Sequence, residues 1–300
     1  MTNPADNPLY VYLHIPKSGG TTLLWSIGQQ YDRTNDRYLK HYHWMNTQLY
    51  LYNNLPILER RTVEQQKQLK FITGHGTYNM VQYWLKVRKQ PFLFTTFRDP
   101  IDRLLSSFNY RYGVSELSQD RQNFTMIDPP MDIHARFNTK YPNDYSTLYE
   151  WYLDASSEQN LQTKWMIKSF YTHYDNRFVP WEAVVKRQNP ADSAPDIWPE
   201  WFENVQPDQD MFNNVQDIVK NKLWWAGTSD TLSADIPELC KYTGVDYVNV
   251  DNRHRSGIDF PRYWTRADVE AQPDFENLLR AEKWDIKLYN YVKHNCKRPF

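Results

Sequence analysis

Apolar positions along this chain gather in short runs, and most runs lead through a turn into apolar spacing of helical period. Residues 10–15 form the first, rich in aromatic and β-branched side chains. It breaks at Pro16, crosses Lys17-Ser18-Gly19-Gly20-Thr21-Thr22 and enters a helical pattern at Leu23, Leu24 and Ile27. That order predicts a buried strand, a glycine turn and a helix. A second strand is expected at about residues 70–73, ending in Gly74-His75-Gly76, and a third over residues 92–97. The helix after the third has a marked entry: Asp99 suits the N-cap, Pro100 the first helical position, and Asp102 puts negative charge in the first turn. Farther on, "KLWWAGTSDTLSADIPELCKYTG" repeats strand, turn and helix, with Gly244 as the C-cap. "YVNV" then leads into a basic loop over residues 252–257, and two helices, around 266–279 and 281–294, close the chain. The alternation predicts an α/β fold, a single domain with a central, mostly parallel sheet flanked by helices.

Two stretches break the pattern. Residues 114–149 are polar and contain Pro129-Pro130, and residues 171–207 are rich in proline and carry Trp181, Trp198 and Trp201. Long irregular segments in a compact domain are usually functional, so both are expected to be insertions on the substrate side. No internal repeat or low-complexity tract interrupts the remainder.

Composition narrows the class. Three hundred residues suffice for one large core, and the 16% aromatic content is set into a polar chain of mean hydropathy −0.80. No run approaches the roughly 18 apolar residues of a membrane helix, and the first residues lack the layout of a secretion signal. The two cysteines, Cys240 and Cys296, stand in no metal-ligand or redox spacing, which points to a reducing, cytoplasmic setting. A net charge of −1 without long single-sign blocks disfavours nucleic acid as a partner.

The first turn carries the clearest chemistry. Glycines that expose backbone N–H groups, a helix start, two threonine hydroxyls and one lysine together make a cradle for an anion. An ordinary nucleotide P-loop places its lysine after the glycines, directly before Ser/Thr. Here Lys17 precedes Gly19 and Gly20, and no apolar run ends in an aspartate suited to magnesium. Arg98 closes the third strand at the carboxyl edge, where open α/β sheets bind ligands. Ser106 follows two helical turns later, on one face with Arg103. An arginine and a serine hydroxyl suit a second phosphate.

At these residues the chain resembles a family. "HIPKSGGTTL" followed by "FRDPIDRLLSSF" is similar to the sulfotransferases that use 3′-phosphoadenosine 5′-phosphosulfate (PAPS), in particular the branch containing heparan sulfate 2-O-sulfotransferase. "NLQTKWM" resembles the family's Asn-x-Gln-Thr-Arg segment, with Lys164 in place of arginine. "WAGTSDTL" and "WDIKLYNYV" resemble its Gly-x-Thr-Glu strand end and Asp-x-x-Leu-Tyr helix. The resemblance implies a P-loop-like loop, Lys17 to Thr22 (Ser18, Gly19, Gly20 and Thr21 between them), holding the 5′-phosphosulfate with Lys17 near the bridging oxygen. It implies Arg98 and Ser106 on the 3′-phosphate, Arg255 and Ser256 as a late cofactor segment, 3′-phosphoadenosine 5′-phosphate (PAP) as product, and no required metal.

Sulfuryl transfer needs a base for the acceptor hydroxyl and cationic stabilisation of the leaving phosphate. His75 is the expected base, since histidine titrates near neutrality and the 2-O-sulfotransferases use a histidine in this way. His41 and His43 form an alternative pair, which without a third nearby ligand makes a poor zinc site. His14 reads as a core residue of the first strand. The balanced charge argues against a heavily sulfated polymer. A sugar or glycan hydroxyl is the expected acceptor, with Trp181, Trp198 and Trp201 as stacking candidates. Tyrosine, lipid and small-molecule hydroxyls remain alternatives, as do a P-loop-type kinase and a non-catalytic binding protein of the same fold.

Overall fold

The structure is a computed structural model that describes residues 8–23, 26–27, 62–67, 70–74, 91–120, 144–174, 177–180, 205–247 and 263–295. Among them, a four-stranded sheet is built from β1 (Tyr10–Leu13), β2 (Phe71–Gly74), β3 (Phe92–Phe97) and β6 (Trp225–Thr228). The order is β2-β1-β3-β6 and every pairing is parallel. Leu13 pairs with Gly74 on one side and Thr95 on the other, and Phe97 pairs with Thr228. All four strands therefore end at one edge, and that edge leads into the loop at Lys17 and into Arg98.

Burial on both sides explains why these strands read as continuous apolar runs. On one face Tyr10, Tyr12, Phe71, Phe94 and Trp225 pack with Leu23 and Ile27 and with Leu232, Ile236 and Leu239. Leu23 belongs to α1 (Gly20–Leu23), and the last three to α7 (Leu232–Thr243), which Gly244 ends in the left-handed conformation at φ 72°. On the other face Val11, Leu13, Ile72, Leu93 and Ala226 pack with α5 (Leu161–Phe170), α6 (Gln209–Asp217) and α10 (Lys283–His294). A short helix α2 (Val63–Lys67) precedes β2. Among the described residues, no helix is long and apolar enough to cross a membrane.

The structure redraws four boundaries. Helix α3 (Pro100–Asp120) begins as expected, with Asp99 Oδ1 accepting from the N–H groups of Ile101 and Asp102, but it runs seven residues into the segment expected to be irregular from residue 114. That segment also ends in helix, at α4 (Leu148–Asp154). The proline-rich stretch opens with an antiparallel hairpin, β4 (Tyr171–Tyr174) and β5 (Arg177–Pro180). The helix expected over 266–279 is two pieces, α8 (Arg266–Glu270) and α9 (Phe275–Ala281), parted around Pro273, which has no N–H to continue the ladder. Helices α3, α4 and α9 enclose a separate aromatic cluster that includes Phe108, Tyr112 and Trp151.

Helices α5 and α10 meet at their N-termini and cap one another. Asn160, at φ 45°, accepts from the N–H groups of Trp284 and Asp285 through Oδ1, at 3.1 and 3.3 Å. Asp285 in return accepts from the N–H groups of Gln162 and Thr163, at 2.9 and 2.8 Å. Donors that a helix start leaves unmet are thus satisfied across the contact. Beside it, Glu282 accepts from Asn160 N at 2.6 Å, and Arg103 donates to Glu158 Oε2 at 2.7 Å.

Burial, with Asp285 adjacent, raises Glu282 to about 8. Glu158 is equally buried, but Arg111 and Arg103 hold it down to about 2. The two act on stability in opposite senses. The unfolded chain releases the Glu282 proton near pH 4.5, whereas the folded chain keeps it until about 8, so this contribution is complete below 4.5 and is lost as pH rises through about 8. The Glu158 contribution is complete above 4.5 and is lost as pH falls toward 2. Glu282→Gln keeps the acceptor for Asn160. Thermal melts should find it more stable than the parent by on the order of 1–2 kcal/mol at pH 8.5, and close to the parent at pH 5. Equal melting of the two proteins at both pH values would remove the assignment.

Candidate functional site

The chain leaves β1 at Leu13 and turns back on itself before α1. Lys17 adopts φ 64°, a left-handed conformation rare for a residue with a side chain, and Gly19 follows at φ 92°. The turn is held from β3: Thr96 Oγ1 donates to Ser18 O at 2.7 Å, and Arg98 Nη1 donates to Lys17 O at 3.2 Å. Such strain persists only where surrounding structure over-determines it, and it gathers at functional sites. Gly20 is required by close packing. A Cβ there would lie 2.0 Å from His14 Nε2. His14 accordingly sits past the end of β1, not inside it, with its ring against the loop and stacked on Tyr12.

Several groups in the loop are unspent. The N–H groups of Gly19 and Gly20 find no acceptor among the described residues. Thr22 Oγ1 is buried and has no hydrogen-bond partner. Thr21 lies in α1, and its side chain is outside the described residues. Ser18 is different: it is fully buried, its N–H donates to Ile15 O, and its Oγ donates to Gln162 Oε1 at 3.3 Å. The loop thus presents amide groups and a hydroxyl, and the His14 ring packed behind it leaves no room for a side chain at Gly20.

Two cations border the loop. The Lys17 ammonium lies 3.7 Å from the centroid of the Tyr110 ring, a cation–π contact, and has no carboxylate within ion-pair distance among the described residues. Lys17 keeps some solvent contact, but its ammonium is crowded; burial and the neighbouring Arg98 lower it to about 7, with Glu158 acting in the other direction. Arg98 is half-buried and makes no ion pair with the described carboxylates. Asp99 and Asp102 are taken up by Arg266, at 2.6 and 3.2 Å. Ser106 is half-buried on α3, its hydroxyl makes no hydrogen bond among the described residues, and it lies one turn before Tyr110, on the face of α3 that meets Lys17.

The structure therefore brings together Lys17, Gly19, Gly20, Thr22 and Arg98 at one sheet edge, with Ser106 on the neighbouring helix. It separates Arg103, which shares a face with Ser106 but is buried against Glu158 through Nη1 to Oε2 and Nη2 to Glu158 O, both at 2.7 Å. His75, His41, His43, Arg255, Ser256 and the three insertion tryptophans lie outside the described residues. Strand β2 carries the chain to the same edge at Gly74, directly before His75 in sequence. Two residues escaped the sequence reading. Tyr110 was one tyrosine among twenty-two, detectable only as the position one turn after Ser106. Gln162 lies within "NLQTKWM", a segment noted for resemblance and given no task.

A family model described as the sulfotransferase family matches residues 3–197, nearly two thirds of the 300 residues. No curated protein matches the chain.

A crowded lysine ammonium lowered to about 7 makes anion binding depend on pH. Below 7 Lys17 already carries its proton; above 7 a bound anion must draw one in, which weakens affinity by up to about tenfold per pH unit. Inorganic sulfate, whose own charge is constant, is the clean probe. Its affinity should be level from pH 6 to 7 and fall from pH 7 to 9, and Lys17→Arg should flatten the decline. An unvarying affinity in the parent protein would show that Lys17 does not meet the anion.

Proposed function

The chain belongs to the sulfotransferase family, and on that premise we propose that it moves the sulfuryl group of PAPS to a hydroxyl on a sugar or glycan, with His75 as base. Sulfuryl transfer to a hydroxyl acceptor is the activity of the family; the donor, the acceptor class and the residue roles are this reading. The observation that carries it is the pair of cations, Lys17 and Arg98, with no described carboxylate at ion-pair distance, joined through Arg98 Nη1 and Lys17 O beside the amides of Gly19 and Gly20 and the Thr22 hydroxyl, which have no partner among the described residues.

In this reading the residues Lys17, Gly19, Gly20, Thr21 and Thr22 hold the 5′-phosphosulfate, Ser18 fixes the loop from behind, and Arg98 with Ser106 takes the 3′-phosphate. Arg255 and Ser256 add the late cofactor contact. PAPS, as donor substrate, supplies an electrophilic sulfur and a phosphate leaving group, so no metal is needed to generate either. His75 takes the proton of the acceptor hydroxyl. The acceptor oxygen–sulfur bond forms in line with cleavage of the bond from sulfur to the bridging oxygen, and PAP departs. Lys17 offsets the charge that grows on that oxygen, and a preset cation in a dry site is worth most at that point. A likeness to heparan sulfate 2-O-sulfotransferase supports the carbohydrate acceptor, as do the insertion tryptophans. The cytoplasmic setting rests on cysteine usage; Cys240 is a buried free thiol pushed up to about 11 by burial, with Asp246 adding to it.

Calorimetry with adenosine 3′,5′-bisphosphate, AMP and ATP, without added metal, tests the donor class. The bisphosphate should bind best, and Arg98→Ala should erase its advantage over AMP. Tighter, magnesium-dependent binding of ATP would favour a kinase instead. On a glycan acceptor, His75→Ala should lower kcat by roughly 10²–10⁴-fold with bisphosphate affinity nearly intact. Full activity in that variant would move the base to another residue.

A further inference from the structure

Strand β3 runs past the end of β1 and ends level with β6. Its last pairing with β1 is at Thr95 and its last with β6 at Phe97, so the backbone N–H and C=O of Arg98 have no strand to meet. The side chain of Gln162 fills in for one. Arg98 N donates to Oε1 at 2.8 Å and Nε2 donates to Arg98 O at 2.9 Å, the two-bond ring that a paired strand residue would make. The same Oε1 accepts from Ser18 Oγ at 3.3 Å. Gln162 is fully buried, and its own N–H is held by Asp285. One carboxamide therefore bonds both to the loop that begins at Lys17 and to the residue that bears the second cation.

We infer that Gln162 is a positioning residue that fixes the separation of the loop from Arg98, and with it the spacing of the two anionic groups that a single ligand presents to them. The inference rests on the two-anion reading above. Each polar atom of the carboxamide has a partner, and it can swing away only by giving up both bonds to the half-buried Arg98 backbone, which is costly. Without it the end of β3 is free to move relative to the loop. A ligand that uses the loop alone is indifferent to that movement. A ligand that bridges loop and Arg98 is not, because misplacement of about 1 Å is enough to weaken a two-point fit severely.

The test compares adenosine 3′,5′-bisphosphate with AMP in the full chain and in Gln162→Leu and Gln162→Glu. The glutamate variant has the same shape and retains Oε1, but sets an oxygen against Arg98 O where Nε2 donated, so it remains informative if the leucine variant does not fold. Either variant should lose about tenfold in bisphosphate affinity and under about threefold in AMP affinity. In an Arg98→Ala background, Gln162→Glu should cost nothing further, because the group it positions is gone; a merely structural role would cost the same in both backgrounds. Equal loss for the two nucleotides, no loss for either, or full additivity with Arg98→Ala would overturn the inference while leaving the two-anion reading standing. A parent protein that binds AMP as well as the bisphosphate would overturn that reading first, and this inference with it.

Discussion

Two helices that start at the same place create a problem the rest of the structure is arranged around. Each leaves unmet N–H donors and a partial positive charge at its first turn, and α5 and α10 bring those ends together inside the protein. The solution is reciprocal: Asn160 caps α10 and Asp285 caps α5. Because Asp285 grips the backbone of Gln162, the same contact that satisfies the helix ends also fixes a carboxamide at the carboxyl edge of the sheet. Sheet, loop and terminal helix are thereby joined in one hydrogen-bonded chain running from Asp285 through Gln162 to Arg98 and Ser18.

The cations described around the sheet edge are of two kinds by the company they keep. Arg103 and Arg111 share Glu158, and Arg266 is surrounded by Asp99, Asp102 and Glu270. Those charges are neutralised by the fold and serve it. Lys17 and Arg98 have no carboxylate at ion-pair distance among the described residues, and Lys17 rests on an aromatic ring, which costs little to leave. A half-buried pair of neighbouring cations with no carboxylate at ion-pair distance is unfavourable for stability. Its retention makes sense where a ligand brings the missing negative charge.

The sheet, the loop and the entry to α3 were legible because each has a local cause: apolar runs, a glycine pair beside a turn, and an Asp-Pro helix start. The C-cap at Gly244 was legible for the same reason. Where the cause is distant the sequence was silent. Nothing local marks Gln162 as the partner of Arg98, 64 residues away, or Asp285 as its anchor, 123 residues on. Arg103 illustrates the opposite error, since its spacing from Ser106 put it on a promising face, while Glu158 claims it from outside the helix. The break at Pro273 was readable in principle, but the apolar period continued across it and carried the expected helix through.

The family match ends at residue 197, before β6, α7 and α10. Yet β6 completes the sheet on the far side of β3, Leu232 of α7 lies 3.1 Å from where a Cβ on Gly19 would sit, and Asp285 of α10 anchors Gln162. The matched portion therefore includes Lys17 and Arg98, the proposed ligands of the anion, and part of the scaffold that holds them lies beyond it. In the proposed reaction these two tasks tolerate change differently. A ligand group must keep its chemistry, because phosphate recognition demands an amide, a hydroxyl or a cation. A supporting group need only keep its geometry, and any residue that satisfies the same buried donors will serve.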